Sequence, residues 1–181
     1  QQNDRFYADY VEGSLDIHDY IAFSLAPLSK HSKEQLYAWR QDFVNTKISP
    51  IVLPKALALV NKHRDKGDTL LIITATNRFV TQPIADIFGI DNLIAIEVEE
   101  SEAGYTGRSV GTPSYKEGKI TRLHEWLASR PEELSGACFY SDSHNDLPLL
   151  KLIDHPVAID PDDKLREYCG QQGWPIRSLR D

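Results

Sequence analysis

The sequence predicts a layered α/β fold, a parallel sheet flanked by helices, with a helical segment ahead of it. Two observations predict it. Short apolar runs rich in β-branched residues, at Thr69–Ile73, Leu93–Glu99, Ala137–Tyr140 and Pro156–Ile159, alternate with helix-like stretches. That alternation is how parallel strands are connected. Residues 1 to about 50, by contrast, show three- and four-residue apolar spacing and little strand character. The chain therefore reads as a helical segment over residues 1–50 and an α/β core over residues 51–181.

Each element has a local cause. Phe6, Tyr7, Tyr10 and Val11 carry helical spacing until Gly13-Ser14 breaks it, and Asp16 can cap a second helix carrying Ile17, Tyr20, Ile21, Phe23 and Leu25. Ser32-Lys33-Glu34-Gln35 resembles a capping box, opening a third helix whose Leu36, Trp39 and Phe43 are spaced as one buried face. For any one of these rings, a place in a small helical core is the first expectation. An amphipathic helix over 52–66 closes at Lys66-Gly67-Asp68. The strand at Thr69–Ile73 runs into Thr74-Ala75-Thr76-Asn77, then a helix over 79–88 stops at Gly89. A strand over 93–99 turns near Ala103-Gly104 and returns as a hairpin. A helix over about 117–129, the strand at Ala137–Tyr140 and a further apolar helix follow. Pro156–Ile159, a helix opened by Asp160-Pro161-Asp162-Asp163, and a last edge strand near Trp174–Leu179 complete the chain.

Bulk properties bound the function. A formal net charge of -7 argues against a nucleic-acid footprint, which needs a basic face. No apolar run approaches the length of a membrane helix, and no secretory leader is expected. Cys138 and Cys169 lack metal-ligand spacing, and Cys138 in its apolar strand is expected to be a buried free thiol, pointing to a reducing cytoplasm. The chain contains no Met and opens Gln1-Gln2-Asn3-Asp4, so a processed or truncated chain is expected.

Three places can carry chemistry. Asp142 and Asp146 sit in Ser141-Asp142-Ser143-His144-Asn145-Asp146, between an apolar strand and an apolar helix. Carboxylates so placed collect at the pocket beyond the strand ends. They repel unless a cation lies between them, and a hard ion such as Mg2+ suits oxygen ligands. The alternative is a capped loop with solvated acids, Ser141, Ser143 or Asn145 being the cap. Thr74, at the end of a strand, can hold an anionic oxygen beside backbone N–H groups, or can cap the helix starting near Arg78. Lys116 or Lys119, near the start of a helix, can neutralise crowded carboxylates and a phosphoryl group, or be a solvated surface charge.

Thr74, Lys119 and the acidic turn, in that order and each at a strand end or helix start, resemble the haloacid-dehalogenase-like superfamily of phosphohydrolases. The resemblance is to its phosphoserine-phosphatase-like branch, with the related histidinol-phosphatase-like proteins, over roughly residues 50–178. The matching segments are Leu71–Asn77, Glu117-Gly118-Lys119 and Ser141–Asp146. The resemblance implies a three-layer Rossmann-like core with a small helical cap, here residues 1–50. It also implies a Mg2+-dependent phosphatase working on a small phosphorylated metabolite through an aspartyl-phosphate intermediate. By the same resemblance Thr74 binds phosphoryl oxygens, Lys119 (or Lys116) holds nucleophile and phosphate in register, Asp142 ligates Mg2+, and Asp146 supports metal and lysine. Asn77 and Asn145 become candidates for phosphate contacts.

One family feature is absent. The nucleophile motif, an apolar strand ending Asp-x-Asp, has no counterpart ahead of the cap segment, and Asp160-Pro161-Asp162 reads as a helix start. The core is therefore expected to lack its first strand, with unpaired edges where that strand belongs. The complete protein is expected to be active and residues 1–181 alone inactive. A phosphotransferase of the same family, or a non-catalytic α/β binding module, is the alternative.

Overall fold

The computed structural model describes residues 2–180; Gln1 and Asp181, at the outer ends of the two expected segments, lie outside the described residues. The elements are α1 (Gln2–Glu12), α2 (Ile17–Leu25), α3 (Lys33–Phe43), α4 (Pro54–Asp65), β1 (Leu71–Asn77), α5 (Arg78–Phe88), β2 (Asn92–Ser101), β3 (Gly104–Val110), α6 (Glu117–Leu127), β4 (Cys138–Ser141), α7 (Leu147–Leu152), β5 (His155–Ile159), α8 (Asp163–Gln172) and β6 (Ile176–Arg177). Asp16 caps α2 through the amides of His18 and Asp19, and Ser32 caps α3 through that of Gln35. The strand expected at Thr69–Ile73 starts and ends later, so Thr74 lies within β1.

The strands form two three-stranded sheets, ordered β1-β2-β3 and β4-β5-β6. β1 pairs with β2 in parallel, β2 and β3 form the hairpin, and β4, β5 and β6 are mutually parallel. Among the described residues, β1 and β4 each have a strand on one side only. Between them lies an apolar groove of about 520 Å³, walled by residues such as Leu71, Ile73, Leu123, Phe139, Leu149 and Ile153. A core of Leu123, Leu149 and Ile153, with Leu71, Ile73 and Phe139 packed on it, spans the two halves beneath this gap. His63 also crosses it: one ring nitrogen lies 2.7 Å from Asp68 and the other 2.7 Å from the Tyr140 hydroxyl.

The helical segment has no separate core. Ile21, Leu25, Leu28 and Leu36 are buried in one cluster with Phe79 of α5 and Ile96 of β2. Two expectations are corrected here. Leu36 is buried, but Trp39 and Phe43 are 50% and 40% exposed. The inward face instead runs from Leu36 to Arg40 and on to Val44 just past the end of α3, because the Arg40 guanidinium stacks 4.9 Å from the Phe79 ring and donates to the Phe79 carbonyl at 3.1 Å. Cys138 is exposed, since it begins an edge strand; Cys169 is buried, and both thiols are free. Among the described residues no single helix is long and apolar enough to cross a membrane.

Candidate active site

Thr74, Lys119, Asp142 and Asp146 line one cavity of about 560 Å³ at the carboxyl ends of β1 and β4. Local chemistry brings each there. The Thr74 hydroxyl accepts from the Thr76 amide at 3.1 Å, and the Thr74 carbonyl accepts from the fully buried Ser114 hydroxyl at 2.6 Å. Ser114 lies in the loop leading to α6, so β1 and the start of α6 are tied at the point where both meet the cavity. α6 is also held to β2 by Arg122, which donates to Glu97 at 3.3 Å and to the Thr112 carbonyl at 3.1 Å. Burial pushes the Glu97 carboxyl upward, but the Arg78 and Arg122 guanidinia outweigh this and hold it below the usual range.

Lys119 is buried and its ammonium lies 2.5 Å from Asp146 Oδ1. The other Asp146 oxygen accepts from the Ser141 hydroxyl at 2.7 Å. With both oxygens engaged, Asp146 orients the ammonium into the cavity. Lys116 goes elsewhere: its ammonium donates to the Gly13 carbonyl at 2.7 Å, and its backbone sits at φ 47°. Of the two lysines, Lys119 lines the cavity and Lys116 does not.

Gly118 shows why the segment Glu117-Gly118-Lys119 carries a glycine. A Cβ built there would lie 2.0 Å from the Pro113 carbonyl oxygen. Backbone cannot yield as a flexible side chain can, so the loop and the first turn of α6 would have to separate. Gly118→Ala is expected to destabilise the fold by about 1–3 kcal/mol. Chemical denaturation of both forms measures the effect.

Asp142 opens on the cavity. Loss of hydration raises its carboxyl above the usual range, and the charges of Asp146 and Asp162 add to this against the opposing pull of its own backbone amide and Lys119. Among the described residues no group of three or more His, Cys, Asp or Glu forms a metal cage. Mg2+ keeps several waters and is held through one or two carboxylates, so an open site centred on Asp142 fits that ion and no closed protein cage is needed.

The two asparagine candidates are placed differently from expectation. Asn77 caps α5, its side-chain oxygen accepting from the Val80 amide at 3.1 Å, and it is not among the residues lining the cavity. It, and not Thr74, satisfies the free amides of that helix. Asn145 lines the cavity, but its amide is bound to protein groups: Nδ2 donates to the Tyr10 carbonyl at 3.0 Å and Oδ1 accepts from the Tyr115 hydroxyl at 3.0 Å. Asp162 caps α8 through the Leu165 amide and holds the His144 ring at 2.8 Å. Tyr10, Ser114 and Tyr115 were not foreseen as site residues. Their partners lie 133, 40 and 30 positions away, and no local pattern marks such pairs.

The profile of the haloacid dehalogenase-like hydrolases matches residues 3–151. A histidinol-phosphatase of Neisseria meningitidis serogroup C (strain 8013) is 45% identical over 183 residues, covering 99% of this chain and 82% of its own length. The chain belongs to the haloacid dehalogenase-like hydrolase family. A crystal structure of a Bordetella pertussis Tohama I protein of unknown function matches this hydrolase with a TM-score of 0.91 at 40% identity, over 98% of this chain and 81% of that one. A phosphoserine phosphatase carrying a phospho-aspartyl intermediate analogue matches with a TM-score of 0.69 at 16% identity, over 98% and 79%, and shares the α/β fold. Other curated relatives are longer, and the chain spans about half the length of two of them. The hydrolase is of the phosphatase type.

Proposed function

We propose that the complete protein is a Mg2+-dependent phosphomonoesterase of the cytoplasm acting on a small phosphorylated metabolite, of the histidinol-phosphate or phosphoserine kind. The observation that carries this reading is the buried Lys119–Asp146 pair beside Thr74 and the open Asp142 carboxylate in one cavity. In it the Thr74 hydroxyl donates to a phosphoryl oxygen. The Lys119 ammonium, fixed by Asp146, neutralises charge that grows on the phosphoryl group, and because it is already oriented no reorganisation is needed as the reaction proceeds. Asp142 would hold Mg2+, which when bound supplies further positive charge at the same oxygens. Two free thiols, one of them exposed at Cys138, suit a reducing compartment.

The nucleophile in this reading is an aspartate outside residues 1–181. It would be carried on an apolar strand inserted in parallel between β1 and β4, where both edges lack partners and the groove is apolar. Its carboxyl end would then open on the same cavity as Thr74 and Asp142. The residues 1–50 would act as the cap that walls the cavity and selects the leaving group.

That wall favours one substrate kind. Phe6, Tyr7, Tyr10 and Tyr20 line the cavity on the side of the helical segment. Aromatic faces attract a flat or cationic group, as the imidazole and ammonium of histidinol phosphate would offer, while phosphoserine presents an additional carboxylate to an acidic chain of net charge -7. With full-length protein and Mg2+, kcat/KM for histidinol phosphate is expected to exceed that for phosphoserine by about ten-fold or more, measured as released phosphate. A preference for phosphoserine sinks the aromatic assignment. No Mg2+-dependent release from either ester sinks the phosphatase reading.

A further inference from the structure

Two loops meet at Asp142. One is the acidic turn after β4; the other is the link Asp160-Pro161-Asp162 between β5 and α8. β4 and β5 are parallel and in register from Cys138 opposite His155 to Ser141 opposite Ala158, so both loops leave the same end of the sheet.

Asp162 ties the two loops together through its main chain and its carboxylate. Its N–H donates to the Asp142 carbonyl at 2.8 Å. Its Oδ2 accepts from the His144 amide and from the His144 ring Nδ1, each at 2.8 Å. Its Oδ1 accepts from the Leu165 amide at 2.8 Å. A helix cap needs only the last of these bonds. The other three go to the acidic turn, to the residues on either side of Ser143, and do nothing for α8. The ring is closed in on its far side as well, where a Cβ at Gly13 would lie 3.0 Å from Nε2.

The carboxylate also carries charge to this place. Burial pushes the Asp162 carboxyl upward, but the amides of His144 and Leu165 and the His144 ring outweigh it and hold it below the usual range. Its charge is one of those that raise Asp142. A negative charge that disfavours a second carboxylate favours a cation beside that carboxylate. Asp162 itself is not among the residues lining the cavity.

Resting on the reading above that Asp142 holds Mg2+, we propose that Asp162 is a positioning residue of the metal site. Its three bonds to Asp142 and His144 fix the turn that presents the Asp142 carboxylate, and its charge acts on a cation bound there. It touches neither the phosphoryl group nor the leaving group.

Two variants keep the cap of α8 and remove the rest. Asp162→Asn can still accept from the Leu165 amide but turns an NH2 group toward the His144 donors. Asp162→Ser also caps and is too short to reach His144. In the full-length protein without substrate, Mg2+ binding followed by titration calorimetry is expected to weaken about ten-fold or more in Asp162→Asn, the usual cost of losing an outer partner of a metal ligand. With histidinol phosphate, the Mg2+ concentration for half-maximal rate should rise in step, while kcat and substrate KM at saturating Mg2+ stay close to wild type. If Asp162→Asn fails to fold, Asp162→Ser must show the same weakening. A residue that only caps α8 would lower the melting temperature equally with and without Mg2+ and leave Mg2+ affinity unchanged; that result overturns the proposal. So does a loss of kcat that saturating Mg2+ fails to restore, which would put Asp162 in the chemical step. A wild type that binds no Mg2+ defeats the metal reading itself and this proposal with it, a result distinct from the others.

Discussion

Lys119→Ala in the full-length enzyme is expected to reduce the rate of phosphate release by about 10²–10³-fold, the usual cost of removing one preorganised charge from a reacting oxygen. The reason is geometric. The Lys119 ammonium is buried, 2.5 Å from Asp146, and that carboxylate is held in turn by Ser141. Removing the lysine also leaves a buried carboxylate without its partner, so the fold should lose about 3–5 kcal/mol. Asp146→Asn separates the two effects. It keeps the lysine but frees its orientation, so turnover should fall while the uncompensated carboxylate is avoided. Lys116→Ala should leave kcat near wild type, because that ammonium is bound to the Gly13 carbonyl. Single-turnover phosphate release with each variant checks the set, and a large kcat loss in Lys116→Ala with a normal Lys119→Ala would reverse the assignment.

Asp142→Asn should abolish Mg2+-dependent phosphate release and leave the fold intact, since the amide has the same shape and its oxygen can still accept from the residue's own backbone N–H. Its pH behaviour gives a second readout. Loss of hydration and the nearby Asp146 and Asp162 raise this carboxyl in the folded protein. The folded state then holds its proton more tightly than the unfolded chain does. Without metal, the stability linked to Asp142 is complete below the ordinary carboxylate range and is lost as pH rises through the raised value. Mg2+ needs the ionised form, so its affinity should rise with pH across the same window. Thermal unfolding against pH, with and without Mg2+, should show a metal-dependent stabilisation that grows with pH in the wild type and is missing in Asp142→Asn. An equal Mg2+ response in both proteins would remove Asp142 from the metal site.

Short-range features of the chain were enough for much of this. Asp16 and Ser32 cap the helices that their side chains predict, because a cap bonds amides two or three residues away. Thr74, Lys119, Asp142 and Asp146 share a cavity because each stands where β1, α6 or β4 opens, and parallel strands gather such positions at one end. Where packing decides, periodicity misled. Leu36, Trp39 and Phe43 have the spacing of a buried face, yet a stacked Arg40 takes the inward position. Cys138 sits in an apolar run and is nonetheless exposed, since burial depends on which strand lies alongside.

What the residues determined alone is the kind of chemistry: a hydroxyl, an ammonium and acidic groups at strand ends and helix starts, in the order that the hydrolase family uses. Only the tertiary structure decided between neighbours of like type. Lys119 faces Asp146 whereas Lys116 reaches Gly13, and Asn77 caps a helix whereas Asn145 reaches Tyr10. The physical reason is that each of these side chains can satisfy its charge or hydrogen bonds in several ways. The partner that wins is brought near by contacts across the fold, which no window of sequence contains.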